Sequence, residues 1–272
     1  MAQDFQFQNL KFCPSEFEHH YGKNVHLLSS PLMLSLLAKL GSPDTHQPQI
    51  NQLVEMLYSN LIDNVIDVLF PRKKVKISTR MSETHPEAVY EGEIVDPQTK
   101  VVTVDLARAG TFPSHLCYNK LNYLMNPTQV RQDHFYVART SDADGKVTGV
   151  NVSGSKIGGD VDNTIVLFPD PMGATGGTIV EACRHYNNEV GGKPLMMVAM
   201  HLILTPEYLE KVTSACPDLH IFGLRLDRGL SHEKILRSLP GKFWKEEKGL
   251  NEHQYIVPGA GGLGEILNNS YC

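Results

Sequence analysis

From Val101 to Leu226 the sequence alternates short apolar runs with longer stretches of helical spacing, and this alternation most narrows what the chain can fold into. Val101–Leu106, His134–Ala138, Thr164–Phe168, Leu195–Leu204 and Leu219–Leu226 read as strands. Between them, Leu116, Leu121 and Leu124, then Ile179, Ala182, Cys183 and Tyr186, recur on single helix faces. Thr205-Pro206-Glu207 has the marks of a helix start: a capping hydroxyl, proline in the first turn and an acid near the positive end. Strands and helices of this length in alternation predict an α/β fold, a doubly wound, mainly parallel twisted sheet that binds ligands at the carboxyl ends of its strands.

Upstream, Leu32, Leu36 and Leu40, then Leu53, Met56, Leu57, Leu61, Val65, Val68 and Leu69, predict two helices within Val25–Phe70, parted by GSPDTHQPQ. Between Arg72 and Thr103 the pattern becomes short alternating runs, KVKISTR and AVYEGEIV, expected to form a strand arm or hairpin. The basic run Arg72-Lys73-Lys74-Val75-Lys76 reads as a solvated strand edge. The segment RTSDADGKVTGVNVSGSKIGGDVD shows neither period, and a loop of that length is expected to act as a lid.

A chain of 272 residues with 41% apolar content can bury a continuous core. A net charge of -5 gives no bulk attraction to nucleic acid or anionic membrane, so an anion site must be built locally and a small-molecule partner is expected. The five cysteines are scattered and form no C-x-x-C pair, which suits free thiols in a reducing cytoplasm. The amino terminus lacks a basic head with an apolar run, and Leu195–Leu204 is far shorter than a bilayer span; a soluble, untargeted protein is expected. His19-His20, His201, His232 and His253 lack H-E-x-x-H spacing and cysteine companions, so no dedicated metal site is expected. His201, within an apolar strand, reads as a hydrogen-bonded core residue.

The stretch Asp170-Pro171-Met172-Gly173-Ala174-Thr175-Gly176-Gly177-Thr178 lies between the strand Thr164–Phe168 and the helix that follows. A strand, a glycine turn and a helix start aim backbone N–H groups and the helix's positive pole into one concavity, where a phosphate fits. Gly176 and Gly177 permit close backbone approach, and the hydroxyls of Thr175 and Thr178 can donate to phosphate oxygens. Asp170, just ahead of the nest, would face ligand hydroxyls such as those of a ribose. No G-K-S or G-K-T follows the glycines, which excludes a Walker loop. A literal G-x-G-x-x-G at Gly259, Gly261 and Gly264 has too little chain after it for a dinucleotide unit and reads as a ligand-contacting backbone loop. Arg108 and Arg139, each just past a strand, are expected on the same rim as Asp170, where a fork of donors suits diphosphate oxygens.

DPMGATGGT, LARAG and GLNEHQYIVPGAGG together resemble the uracil phosphoribosyltransferases, of the type I phosphoribosyltransferase fold, over about Val25 to Leu267. The resemblance implies transfer of a phosphoribosyl group from 5-phospho-α-D-ribose 1-diphosphate to uracil, giving UMP and diphosphate, with Mg2+ carried by the diphosphate. It implies that Asp170 to Thr178 hold the ribose and its 5-phosphate, that Arg108, Arg139 and Asp170 serve the chemistry, with Arg108 and Arg139 on the diphosphate, and that Gly262 also contacts the donor. Uracil would meet Ile256, Gly261, Gly262 and Leu263, largely through backbone groups. A cytoplasmic homodimer or higher homo-oligomer is also implied. The whole chain, 1–272, would be a single domain: N-terminal helices (25–70), a β-arm (72–103), the core sheet (104–230), an insertion (231–249) and a base-binding carboxyl-terminal segment (250–272).

The chain departs from the family pattern in three places. The family's G-D-A-G-D is here Gly261-Gly262-Leu263-Gly264-Glu265, and the lid's Tyr-Phe pair is replaced within Val152-Ser153-Gly154-Ser155-Lys156. The insertion SHEKILRSLPGKFWKEEKG carries the sole tryptophan, Trp244, and is expected to be a surface helix with one apolar stripe. Gly262 and Leu263 keep two further readings open: transfer to another base, and a catalytically weak regulator that binds phosphoribosyl diphosphate.

Overall fold

The alternating strands assemble into one sheet with helices on both faces. The structure, a computed structural model, describes residues 10–141 and 147–270, with side chains given outside residues 138–152. Its strands are β1 (Val25–Leu27), β4 (Lys100–Ala107), β5 (Val130–Ser141), β6 (Val147–Lys156), β7 (Thr164–Pro169), β8 (Met172–Gly173), β9 (Met196–Leu204) and β10 (His220–Leu226). They lie in the order β1-β10-β9-β7-β4-β5-β6, with the two-residue β8 beside β9. The pairings are parallel except for β5 with β6. β2 (Arg72–Ser78) and β3 (Val89–Val95) pair with each other in a separate antiparallel sheet.

Alternate residues of the central strands feed opposite faces, as the period of two requires. Ile165 and Leu167 of β7 join a core made with α1 (Pro31–Leu40), α2 (Gln49–Leu69) and α3 (Thr111–Leu124). Val166 and Phe168 join the other core, with α4 (Gly177–Asn188) and α5 (Pro206–Ala215). Two of these helices begin as their sequences dictate. Ser30 Oγ accepts from Met33 N ahead of Pro31, and Thr205 Oγ1 accepts from Tyr208 N ahead of Pro206. The start of α4 differs: its N-cap is Gly176, at φ +76°, and no side chain caps it.

From β4 the chain crosses to β5 on one side and later returns to β7 on the other, pairing Val101 with Val130 and with Ile165. The carboxyl ends of β4 and β7 are therefore neighbours at the point where strand order reverses, the crevice in which open α/β sheets bind ligands.

Three expectations are corrected. Val25–Leu27 is not a helix start but an edge strand beside β10, its neighbour Ser30 being the cap at which α1 begins. The supposed lid loop is largely strand: β5 continues to Ser141 and β6 returns antiparallel, with Arg139 opposite Val150. Its glycines and polar residues hide the period of two, since backbone pairing does not require an apolar face. Residues 142–146 lie outside the described residues.

The insertion is the third correction. It is a strap rather than a surface helix, with one helical turn, α6 (Glu233–Leu236), and a 3-10 turn at Trp244–Glu246. Trp244 packs edge-on against Tyr21 with ring centroids 4.9 Å apart, and its indole N–H donates to Pro206 O at 2.9 Å. Glu247, fully buried, accepts from the Tyr21 hydroxyl and pairs with Arg228 at 2.8 Å. Burial together with the Glu247 carboxylate pushes the Tyr21 hydroxyl well above its ordinary pKa and keeps it a donor. Glu247→Ala leaves a largely covered arginine without its buried counter-charge and should lower unfolding stability by about 3 kcal/mol. Denaturant titration of the variant beside the unsubstituted chain measures this.

Candidate active site

Beyond the carboxyl ends of β4 and β7 lies a cavity of about 370 Å³. It is walled by the β4 end with Arg108, by the loop after β7 with Asp170, Met172, Ala174, Thr175, Gly176 and Thr178, and by the carboxyl-terminal loop with Ile256, Gly261, Gly262 and Leu263. The size suits a small phosphorylated ligand. Pro171 and Gly173 are buried within the loop rather than in the wall, and Gly177 opens α4. The backbone of Arg139 lies in β5, whose Val137 does reach the cavity; the Arg139 side chain lies outside the described residues.

The loop after β7 is held from beneath. Asp170 N donates to Met200 O at 3.1 Å, and Thr205 Oγ1 donates to Ala174 O at 2.7 Å. His201 is wholly buried, with Nδ1 2.5 Å from Asp170 O and Nε2 2.6 Å from the Tyr208 hydroxyl. A carbonyl oxygen only accepts, so the proton must sit on Nδ1, and Nε2 then accepts from Tyr208. Burial lowers the His201 pKa to about 4, which keeps the ring neutral and this tautomer in place.

Gly176 is required at the turn into α4. Its φ is left-handed, and a Cβ there would lie 2.6 Å from Val212 Cγ2. With no side chain capping α4, the amides of its first turn are available to an anion, and the helix dipole favours one.

The carboxyl-terminal loop is clamped by a pair the sequence reading did not single out. Arg225 and Asp227 meet in a two-point bridge, 2.7 Å at each contact. Asp227 Oδ2 accepts from Gly259 N at 2.8 Å, and Arg225 donates to Gly259 O at 2.9 Å. Both backbone groups of one residue are thus fixed, and Gly261 and Gly262, two and three residues on, are fixed with them. Gln254, Tyr255, Tyr208 and Glu265 also line the cavity without having been predicted. The first two lie inside the GLNEHQYIVPGAGG stretch, whereas Tyr208 belongs to no motif and reaches the site through tertiary packing alone. Glu265 follows Gly262 by almost one helical turn in α7 (Leu263–Ile266), a spacing that could have flagged it.

The family model for uracil phosphoribosyltransferase matches residues 27–241. The chain belongs to the uracil phosphoribosyltransferase family. It is 23% identical to a uracil phosphoribosyltransferase of Campylobacter jejuni over 248 residues, 91% of this chain and 99% of that protein. With one from Thermococcus sibiricus the identity is 24% over 238 residues, 87% of this chain and 85% of the relative. Among solved structures, the AQ2163 protein of Aquifex aeolicus superposes with a TM-score of 0.66 at 20% identity, covering 90% of this chain and 97% of the other. That likeness shows a shared α/β fold over nearly the whole chain.

The buried histidine makes a pH prediction. Its folded pKa of about 4 lies below the ordinary 6.5, so below pH 6.5 the unfolded chain takes up the proton first. Stability is lost as pH falls from 6.5 toward 4, by roughly 3 kcal/mol from this group. His19 and His220 are shifted the same way by burial and add to the slope. Unfolding free energies at pH 7.5 and 5.0 should differ less in His201→Gln than in the unsubstituted chain.

Proposed function

We propose that this chain transfers the phosphoribosyl group of 5-phospho-α-D-ribose 1-diphosphate to uracil, forming UMP and releasing diphosphate. The reading is carried by one convergence: in a member of this family, an uncapped helix start, a strand-end arginine and a clamped backbone loop face the same cavity. Uracil N1 attacks ribose C1, the bond from C1 to the diphosphate oxygen breaks, and the N1 proton passes to solvent. Positive charge builds on the sugar and negative charge on the departing diphosphate.

In this reading the amides and hydroxyls of Ala174 to Thr178 hold the 5-phosphate, and Asp170 faces the ribose hydroxyls. Arg108 and Arg139 stabilise the leaving group, helped by magnesium that the diphosphate substrate brings with it. Ile256, Gly261, Gly262 and Leu263 read the base with backbone groups. Strand β5, which reaches the cavity at Val137, and β6 paired with it are suited to exclude the water that would compete for C1. A cytoplasmic homodimer or higher homo-oligomer accompanies the proposal. Among the described residues, no helix is long and apolar enough to cross a membrane.

The test is nucleotide formation from phosphoribosyl diphosphate, magnesium and a panel of bases. UMP from uracil supports the proposal; product from a different base moves it to that base, and donor binding without product from any base overturns the enzymatic reading. Asp170→Asn should weaken donor binding at least tenfold if the carboxylate holds the ribose, a loss of about 1.4 kcal/mol. Asp227→Asn should act differently, because it loosens the Gly259 clamp. The KM for uracil should rise roughly tenfold, while donor affinity measured by calorimetry stays within twofold.

A further inference from the structure

Glu265 and Gly262 occupy one another's space in an unusual way. Gly262 has an ordinary φ of -80°, so its backbone would accept any residue. What its hydrogen leaves is room, and the Glu265 carboxylate fills it: a Cβ built on Gly262 would overlap Glu265 Oε2. From there Glu265 Oε1 lies 3.5 Å from Arg108 Nη2. Arg108 also donates to Ser270 Oγ at 2.6 Å, so the carboxyl-terminal segment grips this arginine by a charge and by a hydroxyl. Arg108, Gly262 and Glu265 all line the cavity.

We propose that Glu265 is an internal competitor for Arg108, a carboxylate that occupies the diphosphate half of the cavity until the donor displaces it and that reclaims the arginine as diphosphate leaves. The proposal rests on the transferase reading given above. Physically, a diphosphate approaching Arg108 meets a carboxylate already paired with it, and both cannot stay, because like charges at such distances repel strongly. The pair can open. Its side chains are 41% and 34% exposed, so the charges stay partly solvated and separating them costs little.

The ligand carries several negative charges against the single one of Glu265 and therefore wins the arginine, but its net affinity is reduced by the exchange. The same reduction speeds its departure after transfer. Glu265 thus acts on product release and on inhibition by diphosphate rather than on bond breaking. Gly262 is part of the device, since any larger side chain would push the carboxylate off Arg108.

The deciding experiment titrates the full chain and two variants with inorganic diphosphate by calorimetry, without metal, with ribose 5-phosphate saturating the loop after β7. Glu265→Gln is close to isosteric and removes the charge; Gly262→Ala keeps the charge and displaces it. Each should tighten diphosphate roughly two- to fivefold, and the gain should shrink as salt is raised. In turnover, Glu265→Gln should lower both the donor KM and kcat and deepen inhibition by added diphosphate, a split that a merely structural loss would not produce. Unchanged or weaker diphosphate binding in Glu265→Gln overturns the competitor role and leaves the transferase reading, tested separately by UMP formation, in place. If neither the unsubstituted chain nor either variant binds diphosphate, the competitor role falls, and the transferase reading stands or falls by UMP formation.

Discussion

The parallel pairing of β4 with β7 is the constraint on which the site depends. Lys100 to Thr103 lie in register with Thr164 to Leu167, so the strands run side by side and end side by side. One ends in Arg108 and the other in Asp170, and the two residues wall the same cavity although some sixty positions separate them in sequence. β-branched and aromatic side chains fix this register, because each strand is buried on both faces and a one-residue slip would exchange the two cores. Function at this rim is thus underwritten by packing within the sheet.

Around that pairing the protein holds backbone more than side chain. The carbonyl of Asp170 is fixed by His201, that of Ala174 by Thr205, and both backbone groups of Gly259 by the Arg225–Asp227 bridge. A loop that reads a ligand with amides and carbonyls cannot be tuned by its own side chains, so the tuning moves one layer back, to buried groups that never touch the ligand. The neutral ring of His201 and the hydrogen bonds of Asp227 serve the same purpose, and each satisfies polar groups that would be costly to bury unpaired.

Much of the fold was legible because a local pattern dictated it. Val166 and Phe168 alternate with Ile165 and Leu167, Thr205-Pro206 announces α5, and the glycines after Asp170 announce a turn into a helix. Elements without a clear apolar signature were not legible: β6 has two glycines and two serines among its ten residues, and the three-residue β1 is too short to show a period. At the site, DPMGATGGT and LARAG are contiguous and could be read, whereas Tyr208 and the Arg225–Asp227 clamp arrive by tertiary contact and carry no local mark. The insertion misled for a related reason. Its lysines and glutamates look like a solvated helix, yet Glu247 finds its partners in Tyr21 and Arg228, far away in sequence or hidden by the turn.

The strap that carries Trp244 also gives the molecule an optical handle. The indole is the sole one in the chain, so its emission comes from a single known place. Its N–H rests on the carbonyl of Pro206, the residue next to Thr205, whose hydroxyl holds Ala174 in the loop after β7. A fluorophore two short links from the proposed phosphate cradle, yet outside the cavity, is placed to follow the filling of that cradle by a shift in its colour, with no dye attached and no residue exchanged.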